Sequence, residues 1–539
     1  MSARFVLTLS MLAVGAALVG VVLTREGASG ASERVRQGGT FRIASSEGVA
    51  AIDPAAINTI TSGYILKAAC AQLMNYPDKD TPAGLRVMPE VASGHPRVSD
   101  GGRTYTFTIR RGFRFSNGEP VTAQSFVRTF VRALANPDSF GSYYLREVVG
   151  AGAAGAGQQP RGIVARGNRL QIRLRTPVPD FPARMAQPSF CAVSPNLPLE
   201  PEGIGAPLHT AGPYYFAEYV RGRRIVLRRN RFYRGSRPHH VDRIVVDLQA
   251  AGTGDAIQKV IAGRADYMVV ADREAYQRVA ALTRRYGRNR SRVWVQPGLN
   301  FQGFFLNPRR GIFRNNVRLR RAVNWAIDRP ALRNTYGRVG GGPHDQHLPP
   351  SIPGFRDVRI YPVNGPRIRK ARALARGHLR GRKVALYTPN DALSLAQAQI
   401  VRRNLDRIGL EVEVKPWPRG VHFGKLFTRG EPWDLGSFGW AGEYPDPHQY
   451  LNVLFGPGGD FNPGFDFPWF NRGLARAARL RGAARYRAYG ALDVRLARQA
   501  VPFLTFMYGF EPTLVSARVD GRCIVLRPEL DLAAVCLKR

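Results

Sequence analysis

Lysine is almost missing from this chain. Of its 79 basic residues only eight are lysines (67, 79, 259, 370, 383, 415, 425 and 538), and the other 71 are arginines. Acids are scarce as well: 39 Asp and Glu leave a net charge of +40. Binding of nucleic acid would call for that charge to be gathered in a basic arm, a helix-turn-helix or an RNA-binding aromatic signature, and none occurs. The arginines are spread along the chain, as on a solvated surface. No nucleic-acid partner is expected; the excess favours contact with an anionic membrane or wall, or attracts anionic ligands.

Cysteine is also sparse. Cys70, Cys191, Cys523 and Cys536 form no C-x-x-C, which removes support for a zinc ribbon or a redox motif. An even count in an oxidising compartment permits three disulfide connectivities. Cys523 and Cys536 bracket a short segment rich in turn and strand signals and are the favoured pair; four buried free thiols are the alternative. G-x-S-x-G, H-E-x-x-H and a Walker loop are all missing, so no enzyme is expected, with a secreted peptide-processing enzyme as the alternative of another class. The close histidine groupings are His239-His240, whose side chains must diverge, and His344-x-x-His347, in a Gly/Pro loop with only Asp345 nearby. A metal site needs three or four convergent ligands, so neither a metal nor a cofactor is expected.

What is present is globular. Apolar residues make up 44% and aromatics 10% of 539 residues, a length that exceeds what one core serves and implies two or three domains. Residues 5–23 form an apolar run followed by small residues at 27–32. This reads as a secretory signal with a cleavage zone, or as a membrane tether if uncleaved. Arg4 and Arg25 flank it on both sides, so flanking charge does not choose between the two. Either way the protein is extracytoplasmic, in the periplasm or on the outer face of the cell membrane.

Residues 89–134 carry the strongest local pattern. Tyr105, Phe107 and Ile109 alternate as in a half-buried strand. Asp100-Gly101-Gly102 and Asn117-Gly118 supply turns on either side. Thr122 then caps a helix whose Phe126, Val127, Phe130, Val131 and Leu134 share one face, and Asn136-Pro137 stops it. This wording resembles the signature of extracellular solute-binding proteins of family 5, the dipeptide-, oligopeptide- and nickel-binding receptors of ABC importers. Three further blocks resemble the same family: Thr40 to Ala44 with Asp53-Pro54, residues 209–235, and the helix Val317 to Asp328, whose Leu319, Ala322, Val323, Ala326 and Ile327 face one way before Asp328 and Pro330 start another helix. Family members often carry a lipid on a cysteine just after the signal; with Cys70 as the first cysteine, that anchor is not expected here.

Elsewhere, residues 243–248, 255–261 and 267–270 read as strand, helix and strand. A second β-α-β unit spans 383–414, with Ile400, Val401, Leu405 and Ile408 on its helical face and Gly409 at the C′ position. Gly150-x-Gly152-x-x-Gly155 lacks a following helix and acid, and reads as a loop instead of a dinucleotide site. Two α/β lobes follow from the separated β-α-β units. The resemblance makes the fold class α/β, a two-lobed periplasmic-binding-protein fold (type II) with an extra α/β subdomain in the first lobe. The expected division is 1–36 for the signal or anchor, 37–75, 206–298 and 500–539 for lobe 1, 76–205 for the subdomain and 299–499 for lobe 2.

The functional segment is residues 433–451, WDLGSFGWAGEYPDPHQYL, where Trp433, Trp440, Tyr444 and Tyr450 are spaced by Gly and Pro. Composition alone favours aromatics packed under a loop. The resemblance assigns more: the family reads W-x-A-D-Y-x-D-P here, and in its peptide-binding members the acid holds the ligand's α-ammonium while nearby main chain pairs with the extended ligand. The positions carried over are Gly439, Trp440, Glu443 and Tyr444. Glu443 replaces the usual Asp and moves the carboxylate outward by about one methylene. The same alignment puts Asn58, Thr59 and Ile60 where the family offers backbone edge groups. The resemblance thus implies a peptide ligand, ABC permease subunits as membrane partners and a monomer, with a receptor for a nickel chelate or another non-peptide solute as the alternative. The acid pairs Asp78/Asp80 and Glu443/Asp446 sit in turn-rich stretches and do not read as catalytic.

Overall fold

Alternation of Phe41 and Ile43, both essentially inaccessible, with half-exposed Thr40 and Arg42 makes Thr40–Ala44 a strand with one buried face. In this computed structural model, residues 35–539 are described apart from 50, 58, 138, 154–156, 201–202, 270–272, 338–339 and 380. The signal-or-tether expectation for 1–36 therefore falls almost wholly outside the described residues, as does part of the 150–159 loop. Thr40–Ala44 lies in a five-stranded sheet, between Tyr267–Met268 and Arg243–Asp247 and parallel to both. Arg224–Arg229 and Tyr214–Val220 continue it antiparallel. The helix Thr253–Ile261 supplies the crossover that parallel pairing requires.

A separate four-stranded antiparallel sheet joins Arg97–Ser99, Thr104–Thr108, Arg169–Arg173 and Ile163–Arg166. Its first turn uses left-handed backbone at Asp100, Gly101 and Gly102. The helix Ala123–Ala135 begins after Thr122, whose N–H donates to Ser125 Oγ at 3.1 Å. Its Phe126, Val127, Phe130 and Val131 share one core with Tyr105, Phe107 and Ile172. This is the extra α/β layer of the first lobe.

The second lobe is built on a six-stranded sheet in the order Gly341–Pro343, Phe503–Leu514, Val293–Leu306, Leu435–Ala441, Lys383–Pro389, Glu411–Trp417. The last two strands are parallel and joined by the helix Ala392–Asp406, which buries Val401 and Leu405. Gly409 follows at φ +91°, the left-handed conformation that lets the chain reverse after a helix. The helix Val317–Ala326 buries Leu319, Ala322, Val323 and Ala326, and Asp328 caps the next helix, Arg329–Asn334, by accepting from the Ala331 N–H at 2.9 Å.

Two long antiparallel strands, Val293–Leu306 and Phe503–Leu514, carry the chain between lobes. Val293, Val295 and Leu514 pack with Ala44, Ile257 and Met268 of the first lobe, whereas Phe304, Leu306 and Leu504 sit in the core of the second. The division expected at residue 500 is therefore corrected: Phe503 to Met507 belong to the second lobe's sheet. One strand of 12 residues spans both bodies, so no cut before it separates them. The pairing of these strands is irregular between Pro297 and Phe301, where Pro297 has no N–H to give a ladder. That interruption lies at the level of the gap between the lobes.

Candidate functional site

A cleft of about 800 Å³ lies in that gap. It receives Thr59 and Lys67 from the first lobe, Tyr144 and Gln187 from the subdomain, Asn300 and Glu443 from the second lobe, and Arg527 and Glu529 from the C-terminal segment.

On the second-lobe side the site is made by the end of Leu435–Ala441. This strand pairs antiparallel with Val293–Leu306, with Gln302 opposite Gly439 and Asn300 opposite Ala441. The Ser437 carbonyl points away from that partner and accepts from His422 Nε2 at 2.8 Å, while the Gly442 N–H points toward it and donates to Leu299 O at 2.9 Å. Alternate residues of an antiparallel strand present their main-chain groups to the same side, so Gly439 and Ala441 share the outward direction of Ser437. On that side Lys383–Pro389 reaches only Leu435 and Gly436. Among the described residues, no strand covers the outer edge at Gly439 and Ala441.

Beyond the edge the chain must pass very close to its neighbours. A Cβ at Gly442 would lie 2.5 Å from the Tyr450 hydroxyl, which is itself fixed by donation to Leu299 O at 2.6 Å. Glu443 follows and projects into the cleft. Its side chain is exposed and lines the cleft. Burial pushes its carboxyl up to about 7. No described residue pairs with that carboxylate; the residue's one hydrogen bond is from its N–H to Gln449 Oε1, at 3.4 Å. The site thus combines an uncompensated acid with two residues' worth of open strand edge.

The sequence pattern of the bacterial extracellular solute-binding proteins, family 5 Middle, matches residues 86–462. The chain belongs to this family. It is 24% identical over 401 residues to the oligopeptide-binding protein OppA of Bacillus subtilis, covering 70% of this chain and 71% of that protein. To the periplasmic oligopeptide-binding protein OppA of Salmonella typhimurium it is 25% identical over 401 residues, covering 69% and 70%. Among solved structures it resembles the clavulanic acid biosynthesis oligopeptide binding protein 2, with a TM-score of 0.82, 24% identity and coverage of 94% and 96%. The two-lobed type II fold with its extra subdomain is thereby that of the family.

Within this family-5 receptor the remaining expected residues have varied placements. Thr59 lines the cleft, but it is the N-cap of the helix Ile60–Ala69: its side chain accepts from the Ser62 N–H and its carbonyl from the Gly63 N–H. The strand-like edge expected at 58–60 is corrected to a helix start for Thr59 and Ile60, with the Thr59 carbonyl already used by the Gly63 N–H; Asn58 lies outside the described residues. Gly439 does not line the cleft; Gln302 lies against its α-carbon, and its main chain faces the open edge. Trp440 does not line the cleft and instead contacts Phe461, ring centres 4.8 Å apart. Tyr444 is also absent from the cleft wall. Its ring is buried in the subdomain core beside Tyr144, and its hydroxyl donates to Asp180 Oδ2 at 2.7 Å. Asp446 is bound twice by Arg485, at 2.6 and 2.7 Å.

Two disulfides are formed. Cys523–Cys536 is the expected pair, and Cys70–Cys191, 121 residues apart, joins the first lobe to the subdomain. His347 is held by Asp493 at 2.7 Å, so Asp345 is not the only acid near the 344–347 loop; the helix Gly482–Gln499 brings the other. Lys67 and Glu529, paired at 2.9 Å in the cleft wall, were not singled out from sequence. They are 462 residues apart and belong to no local pattern.

Proposed function

We propose that this receptor binds peptides with a free N-terminus between its lobes and delivers them to the permease of an ABC importer. The observation that supports this reading is Glu443: an acid that faces the water of the cleft without a protein partner, beside an open strand edge. A peptide's ammonium group supplies the missing cation through a charge-assisted hydrogen bond. Its main chain supplies the missing strand, a mode that recognises any peptide backbone and leaves side chains to permissive pockets. Closure by a hinge at the two long strands then excludes water. As a member of an extracellular family the protein works outside the cytoplasm; its N-terminal apolar run serves as the export signal or remains as the tether.

Thermal melting in the presence of candidate ligands tests the proposal. Peptides with free amino termini are expected to raise the melting temperature by mass action, about 2.7 kcal/mol at a hundredfold excess over Kd, and nickel salts to leave it unchanged. Stabilisation by nickel or a nickel chelate, with no response to peptides, overturns the peptide reading in favour of the metal one.

A further inference from the structure

A second, open hollow of about 1120 Å³ lies wholly on the second lobe, and none of its lining residues lines the interlobe cleft. It forms where several elements begin or end: the turn after Val293–Leu306, the start of Val317–Ala326, and the last residues of the helices Arg419–Phe427 and Gly482–Gln499. Its lining carries four arginines, Arg309, Arg314, Arg320 and Arg429, against a single acid, Asp466. Asp466 accepts from Asn471 Nδ2 at 2.7 Å and forms no ion pair with any of the four among the described residues.

Arg320 is the informative member. It is 2% exposed; its Nε donates to Ala500 O at 2.9 Å and its Nη1 to Phe313 O. Both acceptors are neutral carbonyls, and its Nη2 group has no acceptor among the described residues. Burial lowers its pKa to about 10, and the neighbouring Arg321 adds to the effect. A buried guanidinium is ordinarily paired with a carboxylate, because carbonyl dipoles offset only part of the cost of desolvating a full charge. Arg314 and Arg429 are exposed, with no ion pair or side-chain hydrogen bond among the described residues. Arg309 donates through Nη1 to Gly464 O at 2.7 Å. This corner of the lobe lacks a counter-charge, and an external anion would supply it.

We propose that this hollow is a second binding site, separate from the peptide cleft, for a ligand bearing a phosphate monoester. Phosphate suits the donor set better than carboxylate does. A monoester carries about −1.5 to −2 charges and three strong acceptor oxygens, so several guanidiniums share it. A carboxylate carries one charge and is matched by a single arginine fork. Phe427, Phe467 and Trp469 line the same hollow and lower the local dielectric, which strengthens charge-assisted hydrogen bonds. Soluble phosphate esters and lipid headgroups both carry this chemistry, and the test separates the two sources.

The test compares the wild-type protein with Arg314→Gln/Arg429→Gln. A control of equal charge loss, Arg402→Gln/Arg403→Gln, lies on the exposed face of Ala392–Asp406 and outside the hollow. Calorimetry follows glucose 6-phosphate, inorganic phosphate and acetate; sedimentation follows phosphatidylcholine vesicles with and without phosphatidic acid, whose headgroup is a phosphate monoester. The wild type and the control are expected to bind glucose 6-phosphate and inorganic phosphate in preference to acetate. Arg314→Gln/Arg429→Gln is expected to bind them about tenfold or more weakly. Binding of phosphatidic acid vesicles alone, lost in that variant and kept in the control, assigns the phosphate to a lipid headgroup. Equal losses in the two double variants, acetate binding as tight as phosphate, or no binding of either phosphate source by the wild type overturns the site. Both arginines are exposed, so ligand-free melting is expected to stay at the wild-type temperature, and the two single variants repeat the comparison.

Discussion

The hydroxyl of Tyr444, on the second lobe, donates a 2.7 Å hydrogen bond to the carboxylate of Asp180, on the subdomain of the first, across 264 residues of sequence. Both groups are buried. Burial alone would raise the Asp180 carboxyl; Arg184, His448 and Arg485 outweigh it and hold the group well below the usual carboxylate range. Tyr444 immediately follows Glu443, so the residue proposed to hold the ligand is covalently joined to the one that crosses the gap.

Tyr444→Phe keeps the ring in the subdomain core and removes this bond. A hydrogen bond to a charged group contributes about 1.5–3 kcal/mol. Since the bond joins lobe to subdomain, its loss is expected to fall on closure: peptide affinity drops by about tenfold to a hundredfold, with little change in the ligand-free melting temperature. Calorimetry and melting together measure this. A large fall in melting temperature at unchanged affinity would assign the bond to basal folding instead.

Peptide binding should depend on pH through Glu443. Its carboxyl, pushed up to about 7 by burial, must be ionised to hold an ammonium group. Affinity is expected to fall by about tenfold per pH unit below that value. Above about pH 8 it falls again as the ligand's α-amine loses its proton. The same raised value means that ionised Glu443 disfavours the ligand-free fold, an effect absent below about pH 4.5 and complete above about 7. Glu443→Gln should abolish the acid limb of the affinity profile, and an unchanged acid limb in that variant would locate the titrating group elsewhere.

Gly442→Ala places a methyl group 2.5 Å from the Tyr450 hydroxyl. Tyr450 is fully buried and bonded to Leu299 O, so it cannot yield freely. Overpacking of this kind costs about 1–3 kcal/mol. Urea unfolding should show a lower midpoint, and the loop that presents Glu443 should bind peptide less tightly. A neutral effect on both would show that the loop relaxes around the methyl group.

Removing Cys70–Cys191 by the double substitution to Ala releases a loop of 121 residues and should lower stability by about 2–5 kcal/mol. Removing Cys523–Cys536, which closes 13 residues, should cost less, because the loop-closure contribution grows with loop length. Urea unfolding of the two double variants measures the order; a reversal would show that the C-terminal bridge acts chiefly by holding Arg527 and Glu529 in the cleft wall.

Much of this receptor's local structure was determined by the sequence itself. The alternation at Thr40 to Ala44 and Tyr105 to Ile109, the helical face of Val317 to Ala326 and the β-α-β unit around Ala392–Asp406 all stand where their periodicity puts them. A periodic pattern says which face of an element is buried, and that information is held within ten or fifteen neighbouring residues. The motif around Glu443 marked a loop that borders the cleft. Tertiary structure alone decided what each buried face meets. Tyr444 lies in the loop the motif identified, yet its ring enters the subdomain core. Thr59 turned from a strand edge to a helix cap because its carbonyl and side chain are used within Ile60–Ala69. The isolation of Glu443 depends on Glu47, Lys67, Glu511, Arg527 and Glu529 having found partners. Whether a charge is compensated is a property of side chains brought together from distant parts of the chain, and no local pattern encodes it.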